Sequence, residues 1–301
     1  MSPDHLGWDL DLEIKDFPYI VSPLLGNNSY RSVYGGEGFL PENTFVFYNS
    51  FVMSNSTFNP AIQIDMAKKF LRGGPRKHIF FHPNKERACI VSAGALVPGA
   101  NTLLRELVMS LYYNYGLKDI VGLKYGFNGM NEKLVKLNPE TTKNIHNFGG
   151  NILGTTGNSD YSDLDIQDFI DMLVEKQVSM LFVIGGLAEM VVLNRIYKEI
   201  KKKMIKIVCC GVPSTTDKEF PIFDSTPGFS SAVEGAQQCI SIGAVEARST
   251  EYGLSIIKLN GKNSGYAAVY SALSSRDVDI CIVPEFNFEL YGDTGLLSYI
   301  Y

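Results

Sequence analysis

The sequence predicts an α/β fold built on a doubly wound, mainly parallel sheet. From Lys77 onward, short apolar segments such as Ala88–Ser92 and Met180–Ile184 alternate with segments of helical period. Strands that alternate with helices are joined by right-handed crossovers, which place the strands parallel in one sheet. The composition agrees with a folded globular protein, since 45% of the 301 residues are hydrophobic and 20% are charged.

The first half of the alternation is predicted from apolar spacing. Ala88–Ser92 and Ile120–Leu123 are the first two predicted strands. Between them, leucine and valine recur at helical spacing over Asn101–Tyr113. A second helix has an apolar stripe from Ile166 to Val174, and Ser162 is its predicted N-cap.

The second half follows the same periods. The predicted strands are Met180–Ile184, Ile205–Val212, Leu254–Leu259 and Asp279–Val283. The predicted helices are one ending at Lys202, Ser231–Ala247, Tyr266–Ser274 and one that begins at Gly295–Leu297. Residues 1–75 have no regular period, and we expect an extended arm with short helices, one of them near Gln63–Leu71.

Composition also bounds the class of function. The formal net charge of −5 gives no general attraction to nucleic acid or to an anionic membrane. The chain starts without an apolar secretion signal and has no apolar run long enough to span a bilayer. The five cysteines lack zinc-ligand spacing, which indicates buried thiols in a reducing compartment. We therefore expect a cytoplasmic protein that binds neither nucleic acid nor membranes.

Three glycine-rich loops follow predicted elements: Ser92–Asn101, Gly149–Gly157 and the pair Gly185-Gly186. In doubly wound folds ligands bind beyond the carboxyl ends of the strands. Glycines there let backbone N–H groups approach a phosphate, and the following helix adds positive charge. Ordinary tight turns use the same glycines, and the first loop lacks the Gly-Lys-Ser/Thr of a Walker A loop. The three loops together favour phosphate binding.

An acidic loop follows the predicted strand that ends at Val212. Asp217 lies five residues beyond that strand, where a carboxylate can accept a proton from an attacking hydroxyl as a general base. The alternative is a solvated loop acid. Glu219 is a weak candidate for a metal ligand and could equally be inert.

These segments resemble the 6-phosphofructokinases, and in particular the plant and kinetoplastid type of ATP-dependent enzyme, which is related to the pyrophosphate enzymes. The matching segments are Arg72–Ile90, Gly94–Glu106, Gly149–Thr156, Phe182–Gly186, Gly211–Asp217, Phe229–Glu234, Lys258–Gly265 and Val283–Glu285. The resemblance implies a phosphofructokinase-like fold. It also implies the glycolytic transfer of a phosphoryl group from ATP, or from pyrophosphate, to fructose 6-phosphate with Mg²⁺.

The resemblance also implies roles for individual residues. Asp217 is implied as the catalytic base, with Glu219 as a weak metal ligand. The implied sugar-phosphate residues are Thr215, Gly261, Lys262, Ser264 and Glu285. The implied residues around the donor phosphates are Gly94, Pro98, Gly99, Thr156, Gly185 and Gly186.

The chain departs from the family pattern at the chemistry. Leu187 stands where the family has an aspartate that helps to hold magnesium, and Glu189 adds negative charge where donor phosphates should lie. Ser214 replaces a lysine, and Gly157 replaces an arginine. Loss of one charge-stabilising group typically costs about 10²–10³ in rate. We therefore expect little or no catalysis.

Three domains are expected: an arm at 1–75, a donor-side α/β domain at 76–215 and a partial sugar-phosphate-side domain at 216–301. Family members extend further, so the second α/β domain is expected to be incomplete. The leading hypothesis is a weak or inactive homologue with a subunit or regulatory role, in homo- or hetero-oligomers with phosphofructokinase subunits. One alternative is an active ATP- or pyrophosphate-dependent enzyme that uses Asp217. Another is a non-catalytic module that binds sugar phosphate or nucleotide.

Overall fold

A computed structural model describes most of the chain from residue 69 onward and short pieces before it. The described residues are 20–22, 39–41, 44–47, 69–131, 134–157, 161–162, 164–220, 223–261 and 264–301. Among them, no helix is long and apolar enough to cross a membrane.

Strands and helices are numbered in chain order. The strands are β1 Ile20–Val21, β2 Phe45–Phe47, β3 Lys69–Leu71, β4 His78–Ile79, β5 Arg87–Ser92, β6 Asp119–Leu123, β7 Val135–Leu137, β8 Met180–Gly185 and β9 Val208–Pro213. The helices are α1 Ala100–Met109, α2 Pro139–Thr142, α3 Ile166–Glu175, α4 Leu187–Lys202, α5 Phe229–Arg248, α6 Tyr266–Ser275 and α7 Leu296–Ile300.

The main sheet has five strands in the order β7-β6-β5-β8-β9. Strands β6, β5, β8 and β9 are parallel, and β7 pairs antiparallel with β6 at one edge. After β5 the chain continues on one side to β6, and β8 then lies on the other side of β5. Such a switch point leaves a crevice at the carboxyl ends of the two flanking strands, here β5 and β8. The predicted mainly parallel sheet is confirmed.

Apolar side chains cover both faces of the sheet. Along β5, Cys89 and Val91 belong to one buried cluster, and Ala88 and Ile90 belong to another. This alternation follows from the two-residue period of a strand. Helices α3 and α4 pack on the first cluster and α1 on the second. The sheet is therefore doubly wound, as predicted.

The cap of α3 differs from the prediction. Asp165, not Ser162, is the N-cap, and its carboxylate accepts hydrogen bonds from the backbone N–H groups of Gln167 and Asp168. Both residue types cap helices well, but Asp165 directly precedes the first helical residue. The cysteine prediction was also wrong in part, because only Cys89 is fully buried. The exposed cysteines are Cys210, Cys239 and Cys281.

Two predicted strands do not form. Residues 254–259 and 279–283 are irregular and pair with no strand among the described residues. Their apolar side chains are exposed, with 85% of Ile256 accessible. A strand needs a hydrogen-bonded neighbour, and local apolar pattern cannot supply one. The helix expected near Gln63–Leu71 is also wrong where it can be judged, because Lys69–Leu71 forms β3; the rest of it lies outside the described residues.

Candidate functional site

The predicted loops begin side by side at the carboxyl ends of β5, β8 and β9. Ser92 is in register with Ile184, and Gly185 is in register with Pro213. The N–H of Ala93 donates to the carbonyl of Ile184, and the N–H of Ser214 donates to that of Gly185. Parallel pairing therefore brings the first glycine-rich loop, the glycine pair and the acidic loop to one edge of the sheet.

Glu189 lies at the centre of this edge. It is the third residue of α4, and its side chain turns back toward the helix start. Its carboxylate accepts a hydrogen bond of 2.8 Å from the N–H of Gly186 and another of 2.8 Å from the hydroxyl of Tyr161. Only 5% of Glu189 is exposed. A carboxylate at this position satisfies a free helix N–H and interacts favourably with the positive end of the helix dipole.

Tyr161 extends this contact to the first loop. Its hydroxyl lies 2.9 Å from Oγ1 of Thr156, which accepts a 3.1 Å hydrogen bond from the N–H of Gly94. Burial raises the pKa of Tyr161 to about 12, and the charge of Glu189 acts in the same direction. The hydroxyl therefore stays protonated at neutral pH and donates to the carboxylate. Three predicted donor-phosphate residues, Gly94, Thr156 and Gly186, are thus connected around one buried acid.

The glycines of these loops accommodate Glu189. A Cβ on Gly94 would lie 2.8 Å from Cδ of Glu189, and a Cβ on Gly185 would lie 2.6 Å from its Cβ. Gly94 also has a φ of 88°, which disfavours any other residue. The close approach that the sequence predicted for a phosphate is made here by the chain's own carboxylate.

Glu219 occupies the other side of the helix start. Its Oε2 accepts a 3.0 Å hydrogen bond from the N–H of Leu187. Burial raises the pKa of Glu219, and the charges of Asp217 and Glu189 raise it further, against the lowering effect of the Leu187 N–H. Oε2 of Glu189 and Oε2 of Glu219 both lie within 3.5 Å of the Cβ position of Gly186. Two acids therefore border the helix start.

Hydroxyl groups of its own threonines and of Ser264 hold the acidic loop in place. The N–H of Asp217 donates to Oγ1 of Thr215 at 3.1 Å, and Oδ1 of Asp217 accepts from the hydroxyl of Thr216 at 2.9 Å. The hydroxyl of Ser264 donates to the carbonyl of Asp217 at 2.6 Å. Asp217 is therefore brought together with two of the predicted sugar-phosphate residues, Thr215 and Ser264.

The remaining sugar-side residues form a second group. Oε1 of Glu285 accepts a 2.7 Å hydrogen bond from the N–H of Gly265, next to Ser264. Gly261 has a φ of 124°, and a Cβ added to it would clash with the carbonyl oxygen of Ser264. Lys262 lies outside the described residues.

The comparison with known families decides the family of this chain. Residues 87–295, more than half of the chain, match the family model described as phosphofructokinase. The chain belongs to the phosphofructokinase family. The resemblance drawn from the loops and strand ends is confirmed, and the chain is a 6-phosphofructokinase homologue.

The curated relatives are ATP-dependent phosphofructokinases. The chain is 39% identical over 232 residues to ATP-dependent 6-phosphofructokinase 7 of Arabidopsis thaliana, covering 77% of this chain and 47% of that protein. It is 35% identical over 289 residues to ATP-dependent 6-phosphofructokinase 1 of the same plant, covering 96% and 58%. An ATP-dependent 6-phosphofructokinase of Borreliella burgdorferi is 35% identical over 233 residues, with 76% and 51% covered. The chain spans about half the length of these relatives.

Solved phosphofructokinases share the fold. The T-state enzyme of Pichia pastoris has a TM-score of 0.59 and 21% identity, covering 68% of this chain and 22% of that chain. A pyrophosphate-dependent phosphofructokinase of Marinobacter aquaeolei has a TM-score of 0.55 and 17% identity, covering 63% and 49%. These matches confirm the phosphofructokinase-like α/β fold.

Two of the donor-phosphate residues that the phosphofructokinase resemblance implied lie apart from the Glu189 group. Pro98 and Gly99 line a cleft of about 780 Å³ between the start of α1 and α5, together with Thr216 and Asn260. Gly94, Gly185 and Gly186 do not line this cleft. The six implied residues are thus divided between an open cleft and a space filled by Glu189.

Sequence reasoning missed two side chains of this phosphofructokinase-family site. Tyr161 was not singled out, because nothing in the sequence relates it to Glu189. Lys218 has a φ of 53°, and its ammonium lies over three rings of α5 and α6. The distances from Nζ to the ring centroids are 5.6 Å for Phe229, 5.6 Å for Tyr266 and 5.1 Å for Tyr270. We call Lys218 and these three rings the Lys218 cage. The spacing of the four residues in the chain gives no sign that they meet.

Proposed function

We propose that this chain is a phosphofructokinase-family subunit with weak or absent catalysis, which acts in assembly with active phosphofructokinase chains. The family reaction transfers a phosphoryl group from ATP to fructose 6-phosphate. Residues 76–215 form the donor side in this proposal, and residues 216–301 form part of the sugar side.

The observation that carries the proposal is the contact between Leu187 and Glu219. The resemblance puts a magnesium-holding aspartate at position 187, and an isobutyl side chain offers no oxygen to a metal. The acid that could stand in for it, Glu219, accepts a hydrogen bond from the N–H of Leu187 instead. The residues present therefore do not fit a magnesium site of the expected kind.

The other side chains that could bind a metal also give no support for a magnesium site. Among the described residues, no group of three or more His, Cys, Asp or Glu side chains is arranged to hold a metal ion. Ser214, where the resemblance puts a lysine, is 3% exposed. A phosphoryl donor at this edge would meet two carboxylates with few cations to offset them.

The sugar side is better preserved. In this proposal Asp217 is the general base. Its carbonyl oxygen accepts a hydrogen bond from the hydroxyl of Ser264, and Glu285 accepts one from the N–H of Gly265, the residue after Ser264. A base without charge stabilisation at the transferring phosphate is not sufficient for ordinary turnover. Binding of fructose 6-phosphate without turnover is therefore compatible with the proposal.

A subunit role is supported by exposed apolar side chains on α5 and α6. Ile242 is 69% exposed, Val245 is 64% exposed and Leu273 is 72% exposed. Large apolar side chains exposed on neighbouring helices are a feature of protein interfaces when they form one patch. Other phosphofructokinase chains are the partners proposed here, with co-purification and a changed KM of the active partner as the readouts.

The deciding experiment measures fructose 1,6-bisphosphate formed by purified protein with Mg²⁺ and either ATP or pyrophosphate. We expect no turnover above that of an Asp217→Asn control. Turnover at an ordinary enzymatic rate, on the order of 10 s⁻¹ or more, that disappears in Asp217→Asn would overturn the proposal and identify an active enzyme that uses that donor. A thermal shift with fructose 6-phosphate, without turnover, would support sugar binding by an otherwise inactive subunit.

A further inference from the structure

Strand β9 forms an open edge of the main sheet. Among the described residues it pairs with β8 alone, on one side. The N–H groups of Val208 and Ser214 donate to carbonyls on the β8 side. Backbone groups alternate in direction along a strand, so the N–H and carbonyl groups of Cys209 and Gly211 point away from the sheet. This edge therefore offers backbone donors and acceptors to another strand.

The strand has few of the features that protect an edge from pairing. Natural edge strands are often blunted by charged side chains, by proline or by a covering helix. The six residues of β9 read Val-Cys-Cys-Gly-Val-Pro, with no charged side chain and with Pro213 only at the end. Val208 is 45% exposed, and Cys210 is exposed as well. The edge is therefore accessible to a second strand.

An apolar patch on one face of the sheet reaches the same edge. Met180 and Phe182 of β8 are in register with Val208 and Cys210 of β9. Side chains in register on paired strands lie on the same face, so these four are neighbours. Met180 and Phe182 are half-buried, whereas Val208 and Cys210 are exposed. A strand added to β9 would lie beside Val208 and Cys210 and reduce their exposure.

We propose that β9 pairs with β9 of a second copy of this chain, antiparallel and about a two-fold axis at Cys210. In this register Cys209 of each copy faces Gly211 of the other, and the outward N–H and carbonyl groups of both residues are bonded. An isologous contact of this kind is self-complementary and closes as a dimer. The inference goes beyond the proposed function, because it concerns pairing between identical chains and requires no substrate and no active partner.

The side chains favour this register over its neighbours. Val208 of each copy lies opposite Val212 of the other, so apolar side chains meet apolar ones across the interface. A shift by two residues one way would set Cys209 opposite Pro213, which has no N–H to donate. The same shift the other way would pair β9 with a residue that precedes it. The register centred on Cys210 therefore keeps the bonded pairs within the strand.

Charges at the two ends of β9 favour an antiparallel second copy. Lysines at 201–203 and Lys206 precede the strand, and Asp217 and Glu219 follow it. Lys218, between the two acids, is held over the rings of the Lys218 cage. Antiparallel pairing sets the lysine end of one copy beside the acidic end of the other, whereas parallel pairing would set lysines beside lysines. The chain is therefore complementary to itself at this edge.

The test is sedimentation equilibrium of the full chain alone. At about 100 μM protein we expect a dimer, since a Kd of about 1 μM leaves few monomers at that concentration. Cys210→Lys should raise the Kd at least about tenfold, because two like charges then face each other at the axis. Cys281→Lys is the matched control: it makes the same change at an exposed cysteine outside β9 and should leave the dimer intact. A monomeric natural chain, or equal Kd values for both variants, would overturn the proposal.

Cross-linking keeps the proposal testable if Cys210→Lys does not fold, as judged by circular dichroism. Directly opposed residues that are not hydrogen-bonded to each other have Cα atoms about 4.5 Å apart, within reach of a disulfide. Diamide oxidises two thiols to a disulfide and should link natural chains in pairs. Cys210→Ser should abolish the linked pair, and Cys281→Ser should not. A link that survives Cys210→Ser would place the contact elsewhere and overturn the inference.

Another phosphofructokinase chain is the competing occupant of this edge. A natural chain that stays monomeric, but co-purifies with such a chain and loses it in Cys210→Lys, would overturn self-pairing and assign β9 to that partner. Hydrogen exchange separates the two cases, because self-pairing should slow exchange at 208–213 as the chain alone is concentrated. None of these readouts involves turnover, so failure of the proposed function is seen separately.

Discussion

The hydroxyl of Tyr161 donates a hydrogen bond of 2.8 Å to the carboxylate of Glu189, and both side chains are more than nine-tenths buried. This bond joins the segment between α2 and α3 to the first turn of α4. It also joins a neutral group to a charged one, the kind of pair whose hydrogen bond is stronger than a neutral one. Through Thr156 and Gly94, this bond also connects the start of α4 to the loop that follows β5.

Tyr161→Phe should destabilise the protein by about 1–3 kcal/mol, because a buried carboxylate oxygen loses its partner. The measurement is urea unfolding followed by circular dichroism at neutral pH. Tyr252→Phe removes a hydroxyl from a side chain that is 95% exposed, and its effect should stay within about 0.5 kcal/mol. Similar small effects of both substitutions would show that the Tyr161 bond adds nothing to stability.

Gly94→Ala should cost about 1–3 kcal/mol more than Gly99→Ala, because only the first methyl group meets a neighbour. Both glycines have left-handed backbone, with φ of 88° and 82°, so both variants carry the same backbone penalty. A Cβ on Gly94 meets the carboxylate of Glu189 at 2.8 Å, whereas a Cβ on Gly99 has nothing within 4 Å. Thermal unfolding compares the two. Equal losses would mean that Glu189 moves aside without cost.

Glu219→Gln should gain stability relative to the natural chain as pH rises from the acid range to neutrality. Burial raises the pKa of Glu219 above its ordinary value, with Asp217 and Glu189 adding to the effect. Such a group favours the folded state below its unfolded pKa, and that contribution is lost as pH rises through the folded pKa. The amide does not titrate, so the variant escapes this loss.

The check on Glu219 is the free energy of unfolding of both proteins at several pH values. Glu175→Gln is a control of opposite sign, because the hydrogen bond and charge of Lys176 lower the pKa of the exposed Glu175. For this pair of proteins, the free energy of unfolding of the natural chain should rise slightly relative to that of Glu175→Gln as pH rises. A Glu219→Gln difference that is independent of pH would contradict the raised pKa.

Lys218→Met should destabilise the protein by about 1 kcal/mol, since three rings lose the ammonium group that lies over them. Lys218→Arg keeps a cation there and should lose less. Chemical denaturation measures both. If Lys218→Met and Lys218→Arg unfold alike, the cage does not anchor the acidic loop to α5 and α6.

The sequence was sufficient for the central strands β5, β6 and β8 because they are buried on both faces. Apolar segments such as Ala88–Ser92 and Met180–Ile184 need no information beyond their own composition to be assigned. The segments at 254–259 and 279–283 have similar composition but lack a paired neighbour in the described chain. Pairing is a property of the whole fold, and for that reason the local pattern failed there. Strand β7 has a paired neighbour, β6, but no clear apolar pattern, because it is three residues long and half exposed. The sequence analysis therefore missed it.

The same distinction holds at the site. The rule that parallel strands end at one edge was enough to bring Gly94, Gly185 and Asp217 into neighbouring loops. The direction in which Glu189 turns could not be predicted, because it depends on Tyr161, 28 residues away in the chain. The Lys218 cage depends likewise on two helices that come later in the chain.

Strand β9 forms an edge of the described sheet, and its backbone pairs on one side with β8. Amide protons should therefore exchange with solvent faster along β9 than along β5, which has a neighbour on each side. The acidic loop continues directly from β9 through Ser214. Openings of this strand would carry Asp217 and Glu219 with it, so deuterium uptake at 208–213 would report how often that loop leaves the start of α4.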